Sequence, residues 1–251
     1  MSLPFIRLAA AALIVAFSQG ALAQEAARPK AVVELFTSQG CNSCPPADEL
    51  LGELAKRGDV VALAYHVDYW DYLGWRDTLA SPENTARQQE YARAFGARSV
   101  YTPQAVINGR KHVNGAKRGK VEDAIEAMAS ADKGMVVDVD ISYEDGALVI
   151  ETGPASDPTR QAQVVLVYFN PATKVEIERG ENQGRAFTYR HAVSGFHTAG
   201  MWHGKAARFE LPLSEIAKKG LGGCAVLVQE MINGGLPGPI LGAAIIYKPS
   251  S

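Results

Sequence analysis

Residues 37–46 of the chain read TSQGCNSCPP and place two cysteines three residues apart. An apolar strand pattern over residues 31–36 precedes this stretch, and a helix pattern with leucines at helical spacing follows it over residues 47–57. A second apolar, β-branched run at residues 60–67 predicts another strand. Strand, helix and strand at this spacing predict a βαβ unit with parallel pairing and a right-handed crossover.

The two cysteines, Cys41 and Cys44, stand where the predicted helix begins. A helix N-terminus offers unpaired N–H groups and the positive end of the helix dipole, which both stabilise a thiolate. We therefore expect Cys41 to be the exposed nucleophile and Cys44 the resolving thiol that expels a mixed disulfide. A static disulfide is an alternative, although so short a loop gains little stability from closure. A metal site would need more ligands, of which His66 is the nearest.

Other candidate residues are expected near the cysteines. Thr102 and Pro103 precede a short strand pattern, and an X-Pro bond at this place could be cis and lie across from the cysteines. His66 and Asp68 end the second predicted strand, at the sheet edge where open α/β sheets place their sites. They are candidates for a proton relay to the cysteines. The alternative is a hydrogen-bonded loop histidine and a helix-capping aspartate.

An aromatic and acidic loop, DYWDYLG, follows at residues 68–74. Trp70 and its aromatic neighbours are candidates for a surface that contacts a peptide substrate. Packing against the C-terminal part of the chain is the alternative. The third cysteine, Cys224, lies in a buried-strand pattern and is interpreted as an inert core thiol.

The pattern changes near residue 132, where short strands separated by Gly- and Pro-containing turns begin. Such spacing favours an antiparallel sandwich. We therefore predict an α/β protein with two domains. Residues 24–133 form the first, with a helical insertion, and residues 134–251 form a mostly antiparallel, sandwich-like β domain.

Residues 1–23 are typical of a signal peptide, with Arg7, an apolar run over residues 8–17 and a small-residue cleavage site at Ala21-Leu22-Ala23. We expect a periplasmic or secreted protein, where disulfides persist. The formal charge of −2 and the absence of a Lys/Arg block give no case for a nucleic-acid partner. No later stretch is apolar enough to span a bilayer, so we do not expect an integral membrane protein. No cofactor is predicted.

The order of elements, the Cys41-Asn42-Ser43-Cys44 motif after strand one and Thr102-Pro103 before strand three resemble the thioredoxin fold. The resemblance implies exchange with a thiol or disulfide substrate, protein or small molecule, with the backbone beside Pro103 pairing to a substrate segment. Residues 36–48, 66–71 and 101–104 are similar to a family of exported bacterial thioredoxin-like proteins described as a domain of unknown function.

The chain also departs from well-studied thioredoxins. It has no Trp before Cys41, and Asn-Ser replaces Gly-Pro between the cysteines, which leaves the redox direction open. The expected function is an exported thiol–disulfide oxidoreductase. The alternatives are copper or zinc handling by the reduced cysteines, and a non-catalytic binding module on a thioredoxin-like scaffold.

Overall fold

The computed structural model describes residues 28–129, 134–217 and 222–248. The predicted signal segment, residues 1–23, lies outside these ranges. Within them the chain has a mixed α/β fold, as the sequence predicts, with an eight-stranded sheet, a three-stranded sheet and few helices. No helix of the described part combines the length and the apolar character needed to cross a membrane.

The N-terminal half alternates strands and helices. Its elements are β1 (Ala31–Thr37), α1 (Pro45–Arg57), β2 (Val60–His66), α2 (Pro82–Ala94), β3 (Gln104–Ile107), β4 (Lys111–Asn114) and α3 (Arg118–Ala129). The predicted βαβ unit is confirmed, since β1 pairs in parallel with β2 across α1, whereas β3 pairs antiparallel to β1 and β4 antiparallel to β3. Pro45 and Pro46 fit the start of α1 because a helix leaves its first N–H groups unpaired, and Gly58 ends it with φ of 76°.

The C-terminal half is mostly β. Its elements are β5 (Val139–Glu144), β6 (Ala147–Thr152), β7 (Ala162–Glu176), β8 (Ala186–Trp202), β9 (Ala207–Pro212), α4 (Leu213–Ala217), β10 (Gly223–Ile232) and β11 (Leu236–Tyr247). The pairings among these strands are antiparallel. The sequence patterns at residues 164–169 and 173–178 each predict a short strand, but the structure places most of both in the single continuous strand β7. Strand β8 was not predicted.

The large sheet has the strand order β11-β10-β7-β8-β2-β1-β3-β4 and therefore contains strands of both halves. The join is narrow: β8 runs parallel to β2 with a single partner pair, Ala64 opposite Ala192. No pattern in the sequence indicated this shared sheet. The division into two domains near residue 133 stays a prediction.

Side chains of β1 alternate between two apolar layers. Val33 and Leu35 face the layer that holds α1 and α3. Val32 and Phe36 face the opposite layer, which holds α2 and strands of the C-terminal half. A third layer lies between β5-β6-β9 and strands β7, β10 and β11. The same alternation divides the buried polar residues of β1 and β2 between the two faces.

Candidate functional site

The two cysteines of the motif lie between β1 and α1, within disulfide-bonding distance of each other. Cys44 is the N-cap of α1, and its carbonyl oxygen accepts hydrogen bonds from the amides of Ala47 and Asp48 at 2.8 and 3.1 Å. The predicted position of the pair at a helix start is confirmed.

Both cysteines are buried: Cys41 is 1% exposed and Cys44 is 0% exposed. The expectation of an exposed Cys41 is therefore wrong for this structure. Between them, Asn42 and Ser43 are exposed. The local helix start does place Cys41 at a turn, but a segment from the other half of the chain covers that turn.

The covering segment is the loop of residues 177–185 between β7 and β8, here called the Asn182 loop. Asn182 is 2% exposed, and its Nδ2 donates to the carbonyl oxygens of Gln39 and Cys41 at 2.9 and 3.1 Å. Arg185 in turn donates from Nη1 to Asn182 Oδ1 at 2.9 Å. The loop therefore binds the backbone on both sides of Gly40.

The loop also approaches the N-terminal half closely at Gly180. This residue has φ of 78°, a left-handed conformation that favours glycine, and a Cβ built there would stand 3.2 Å from the Cβ of Trp75. The sequence leaves open whether residues 179–182 form a turn with an ion pair or a loop facing the cysteines, because residues 141 positions apart give no local signal.

The predicted substrate-contact residues meet beside the cysteine turn. The Thr102–Pro103 peptide bond is cis. Trp70 Nε1 donates to Thr102 Oγ1 at 2.8 Å. A Cβ built at Gly40 would stand 3.2 Å from the Cβ of Trp70. Trp70 therefore lies against the cysteine turn with its indole N–H already bonded to Thr102.

The proton-relay residues are placed differently from the prediction. His66 is fully buried, and its Nδ1 lies 2.8 Å from Asp77 Oδ2. Asp68 instead accepts a hydrogen bond of 2.7 Å from the hydroxyl of Thr85 on α2. The structure thus pairs His66 with Asp77. Ten residues, 67–76, separate the two and include a short 3-10 turn at Asp71–Leu73, and no sequence pattern indicated this contact.

Electrostatics favour an ionised His66–Asp77 pair. Burial opposes the charge on each group. For His66 the neighbouring carboxylates of Asp77 and Asp48 outweigh burial and raise its pKa. For Asp77 the opposing effects also outweigh burial and lower the pKa. They are the charge of His66, a hydrogen bond from His66, and hydrogen bonds from the backbone amides of Gln39 and Leu79. The amide of Gln39 donates to Asp77 at 2.8 Å, which joins this pair to the cysteine turn.

Asp48 lies on α1 four residues after Cys44 and was not among the predicted site residues. Side chains at this spacing are neighbours on one helix face. Asp48 Oδ1 is buried and has no hydrogen-bond partner among the described residues. Burial raises the pKa of Asp48 to about 7, against smaller opposing effects of His66 and Thr37. A signal was present, because Asp48 interrupts the buried face formed by Ala47 and Leu51.

We call Asp48, His66, Asp77 and Thr37 the Asp48 cluster. Two further buried atoms in it, His66 Nε2 and Thr37 Oγ1, lack a hydrogen-bond partner in the described part of the chain. The cluster therefore contains polar atoms able to hold or pass a proton beside Cys44. Asp48, with its pKa about 7, exchanges protons near neutral pH.

Two other observations concern the remaining candidates. Cys224 is free and 1% exposed in β10, and burial raises the pKa of its thiol to about 12. It is therefore a thiol at neutral pH. Across residues 28–129, 134–217 and 222–248, no group of three or more His, Cys, Asp or Glu side chains is placed to hold a metal ion.

Comparisons with known proteins support one family. Residues 32–229 match the family model described as "Protein of unknown function (DUF1223)". A structural-genomics crystal structure of a protein from Agrobacterium tumefaciens is 44% identical with a TM-score of 0.81, over 89% of this chain and 96% of that chain. HBP35 of Porphyromonas gingivalis is similar in fold alone, at 12% identity and a TM-score of 0.60, over 88% of this chain and 75% of that chain. No curated protein matches the sequence.

Proposed function

The chain belongs to the DUF1223 family, and we propose that it is an exported thiol–disulfide oxidoreductase with a thioredoxin-like N-terminal domain. The observation that carries this proposal is the Cys41–Cys44 pair at the N-terminus of α1 with Asp48 one turn further along the same helix. A helix N-terminus stabilises a thiolate, and a half-buried acid of raised pKa, with its Oδ1 enclosed, supplies or accepts a proton near neutral pH.

The arrangement of the N-terminal half supports the thioredoxin-like assignment. Strands β1 and β2 pair in parallel around α1, β3 and β4 add an antiparallel pair, and a cis X-Pro bond at Thr102–Pro103 precedes β3. The signal-like residues 1–23 support export to the periplasm or beyond, where a disulfide persists.

The proposed exchange proceeds in two balanced steps. A substrate thiolate attacks Cys41 Sγ, the Cys41–Cys44 bond breaks, and Cys44 leaves as a thiolate that takes a proton from Asp48. A second substrate thiolate then attacks the substrate sulfur of the mixed disulfide and releases Cys41 as a thiolate. Two substrate thiols are oxidised to one disulfide, and the cysteine pair is reduced. The reverse sequence uses the ionised Asp48 as the base.

The test is to measure whether the Cys41–Cys44 disulfide is reduced by thiols and re-formed in the folded protein. Reduction of the Cys41–Cys44 bond by thiols is followed by alkylation and mass spectrometry, and its equilibrium with glutathione gives the redox potential. Cys41→Ser and Cys44→Ser should each abolish exchange, and Cys44→Ser should trap a mixed disulfide at Cys41. Cys224→Ser is the matched control and should exchange as the parent protein does.

A static disulfide makes the opposite prediction. If the Cys41–Cys44 bond in the folded protein resists both glutathione and small synthetic thiols, while the unfolded chain is reduced normally, the proposed function is wrong. The pair then serves as a local cross-link at the start of α1.

A further inference from the structure

The segments that cover the cysteine pair limit the size of the substrate that can contact Cys41. The Asn182 loop binds the backbone beside Cys41, and Trp70 packs on Gly40 and bonds to Thr102, next to the cis proline. A folded protein substrate would have to displace both segments before its sulfur touched Cys41. The arrangement therefore favours a substrate much smaller than a protein.

A cavity of about 350 Å³ lies at the start of α1, and neither cysteine is among the residues that line it. It begins at Pro45 and Pro46, directly after Cys44, and runs between the start of α1 and the start of β8. Its volume lies near the lower end of the range for small-molecule sites, roughly 300–1,000 Å³. Asp48 lines it while keeping its Oδ1 enclosed, so the cavity and the Asp48 cluster share one side chain.

The cavity wall carries charges of both signs. On the β8 side, the Arg185 guanidinium lies over the Phe187 ring at 4.7 Å from its centroid. On the α1 side stands the exposed Glu49. Among the described residues, no ion pair within 4.0 Å engages either Arg185 or Glu49. A ligand with a carboxylate and an ammonium group matches this pair of charges, because a guanidinium pairs well with a carboxylate.

We propose that this cavity binds a low-molecular-weight thiol or disulfide of the amino-acid or short-peptide class, which carries both a carboxylate and an ammonium group. The inference rests on the proposed function and names its substrate class. Arg185 binds the carboxylate and Glu49 the ammonium group. Arg185 also donates a hydrogen bond to Asn182, whose side-chain amide donates to the carbonyl oxygen of Cys41. The residue that binds the carboxylate is therefore bonded to the loop that covers the cysteines.

The experiment compares four probe thiols at equal thiolate concentration: glutathione, 3-mercaptopropionate, cysteamine and 2-mercaptoethanol. The measured quantity is the rate constant for reduction of the Cys41–Cys44 bond, followed by alkylation and mass spectrometry. We expect glutathione to exceed neutral 2-mercaptoethanol by about tenfold or more, and 3-mercaptopropionate and cysteamine to lie between them.

Two variants of Arg185 and one control variant of Arg98 test whether the rate difference arises in the cavity. Arg185→Gln should lower the ratio of the glutathione rate to the 2-mercaptoethanol rate by about tenfold. Arg185→Lys, which keeps the charge, should restore part of that ratio. Arg98→Gln removes an exposed charge elsewhere on the N-terminal half and should leave the ratio unchanged. The circular dichroism spectrum of each variant checks that it is folded.

The outcomes separate this inference from the proposed function. If all four thiols reduce the bond at one rate, or Arg185→Gln and Arg98→Gln have the same ratio, the cavity is not the binding site, although thiol exchange stands. A reduced protein that exchanges as fast as glutathione would likewise overturn the small-substrate inference. If no thiol reacts, both proposals are wrong.

Discussion

Strands β1 and β2 carry buried polar side chains on both faces, and the two clusters that they help to form differ in how completely they are bonded. On the α2 face, Glu34 pairs with Arg87 and Tyr91, and Gln229 of β10 bonds to both Arg87 and Tyr91. We call these four residues the Arg87 cluster. None of the buried side-chain polar atoms of these four residues lacks a partner within the described ranges, whereas the hydroxyl of Tyr65, which lies under Arg87 on the same face, has none there.

On the α1 face, the Asp48 cluster leaves three buried atoms without partners, namely Asp48 Oδ1, His66 Nε2 and Thr37 Oγ1. A buried polar atom without a hydrogen bond costs about 1–3 kcal/mol, so such atoms are uncommon and call for an explanation. The saturated cluster joins the two halves of the chain. The unsaturated one adjoins the cysteine pair, where perturbed titration suits proton transfer.

The largest expected effect comes from breaking the Arg87 cluster. Glu34→Gln removes the carboxylate that pairs with buried Arg87, and we expect the free energy of unfolding to fall by about 3–5 kcal/mol in urea titrations. Glu122→Gln breaks the partly exposed pair with Arg57 and should cost less than about 1 kcal/mol. Equal losses in the two variants would contradict the structural role given to the Arg87 cluster.

The second prediction concerns pH and the stability of the Asp48 cluster. Folded Asp48 keeps its proton until about pH 7, whereas an aspartate in the unfolded chain loses it near about pH 4. Between these values the folded state binds more protons, so the free energy of unfolding falls as pH rises.

The variant Asp48→Asn should not show this decrease of the free energy of unfolding with rising pH. At about pH 8 we expect the variant to be more stable than the parent by about 2 kcal/mol. This is about half of what the full pKa shift implies, because the amide that replaces the carboxyl is itself enclosed without a hydrogen-bond partner, which costs stability. At about pH 4 this advantage should disappear. The control Glu49→Gln, at the exposed neighbouring position, should follow the parent. Parallel pH curves for Asp48→Asn and the parent would show that Asp48 is not protonated in the folded state.

The third prediction is kinetic and tests the proton transfer at Cys44. At about pH 6 Asp48 is protonated and able to donate, so Asp48→Asn should slow reduction of the Cys41–Cys44 bond by about tenfold. Above about pH 8 the difference should shrink, since ionised Asp48 has no proton to give. The measurement is the pH profile of the rate with one fixed thiol at constant thiolate concentration. A uniform slowing at every pH would assign Asp48 a structural role only.

The smallest expected effect concerns the cover of the cysteines. Asn182→Ala deletes two hydrogen bonds to the backbone beside Cys41 and should cost about 1 kcal/mol of stability. It should also raise the rate at which a reduced protein substrate reaches the pair by several-fold. Gln183→Ala, the exposed neighbour, is the control. If the two variants react with the protein substrate at one rate, the Asn182 loop does not limit access.

Local patterns predicted much of the N-terminal half. The β1–α1–β2 unit, the position of the cysteines and the end of α1 at Gly58 follow from apolar spacing and capping over a few residues. Strand β8 was missed because glycines such as Gly195 and Gly200 interrupt its pattern, and its extended form depends on pairing with β7.

The parts of the site that sequence reasoning missed or left undecided depend on distant contacts. Asp77 meets His66 through a folded loop, and Asn182 reaches Cys41 from across the shared sheet. Asp48 differs, because an acid on an apolar helix face beside Cys44 was visible in the sequence. Its burial, which sets its pKa, was not.

The single pair of residues that joins β8 to β2 has a consequence for shortened forms of the protein. Strand β2 is VVALAYH and is buried along its whole length. Without the C-terminal half, β2 would become the edge of a four-stranded sheet, with apolar side chains and free backbone groups open to pairing with other molecules. The C-terminal half therefore covers this edge of the sheet in the whole protein. The N-terminal half expressed alone should aggregate through β2.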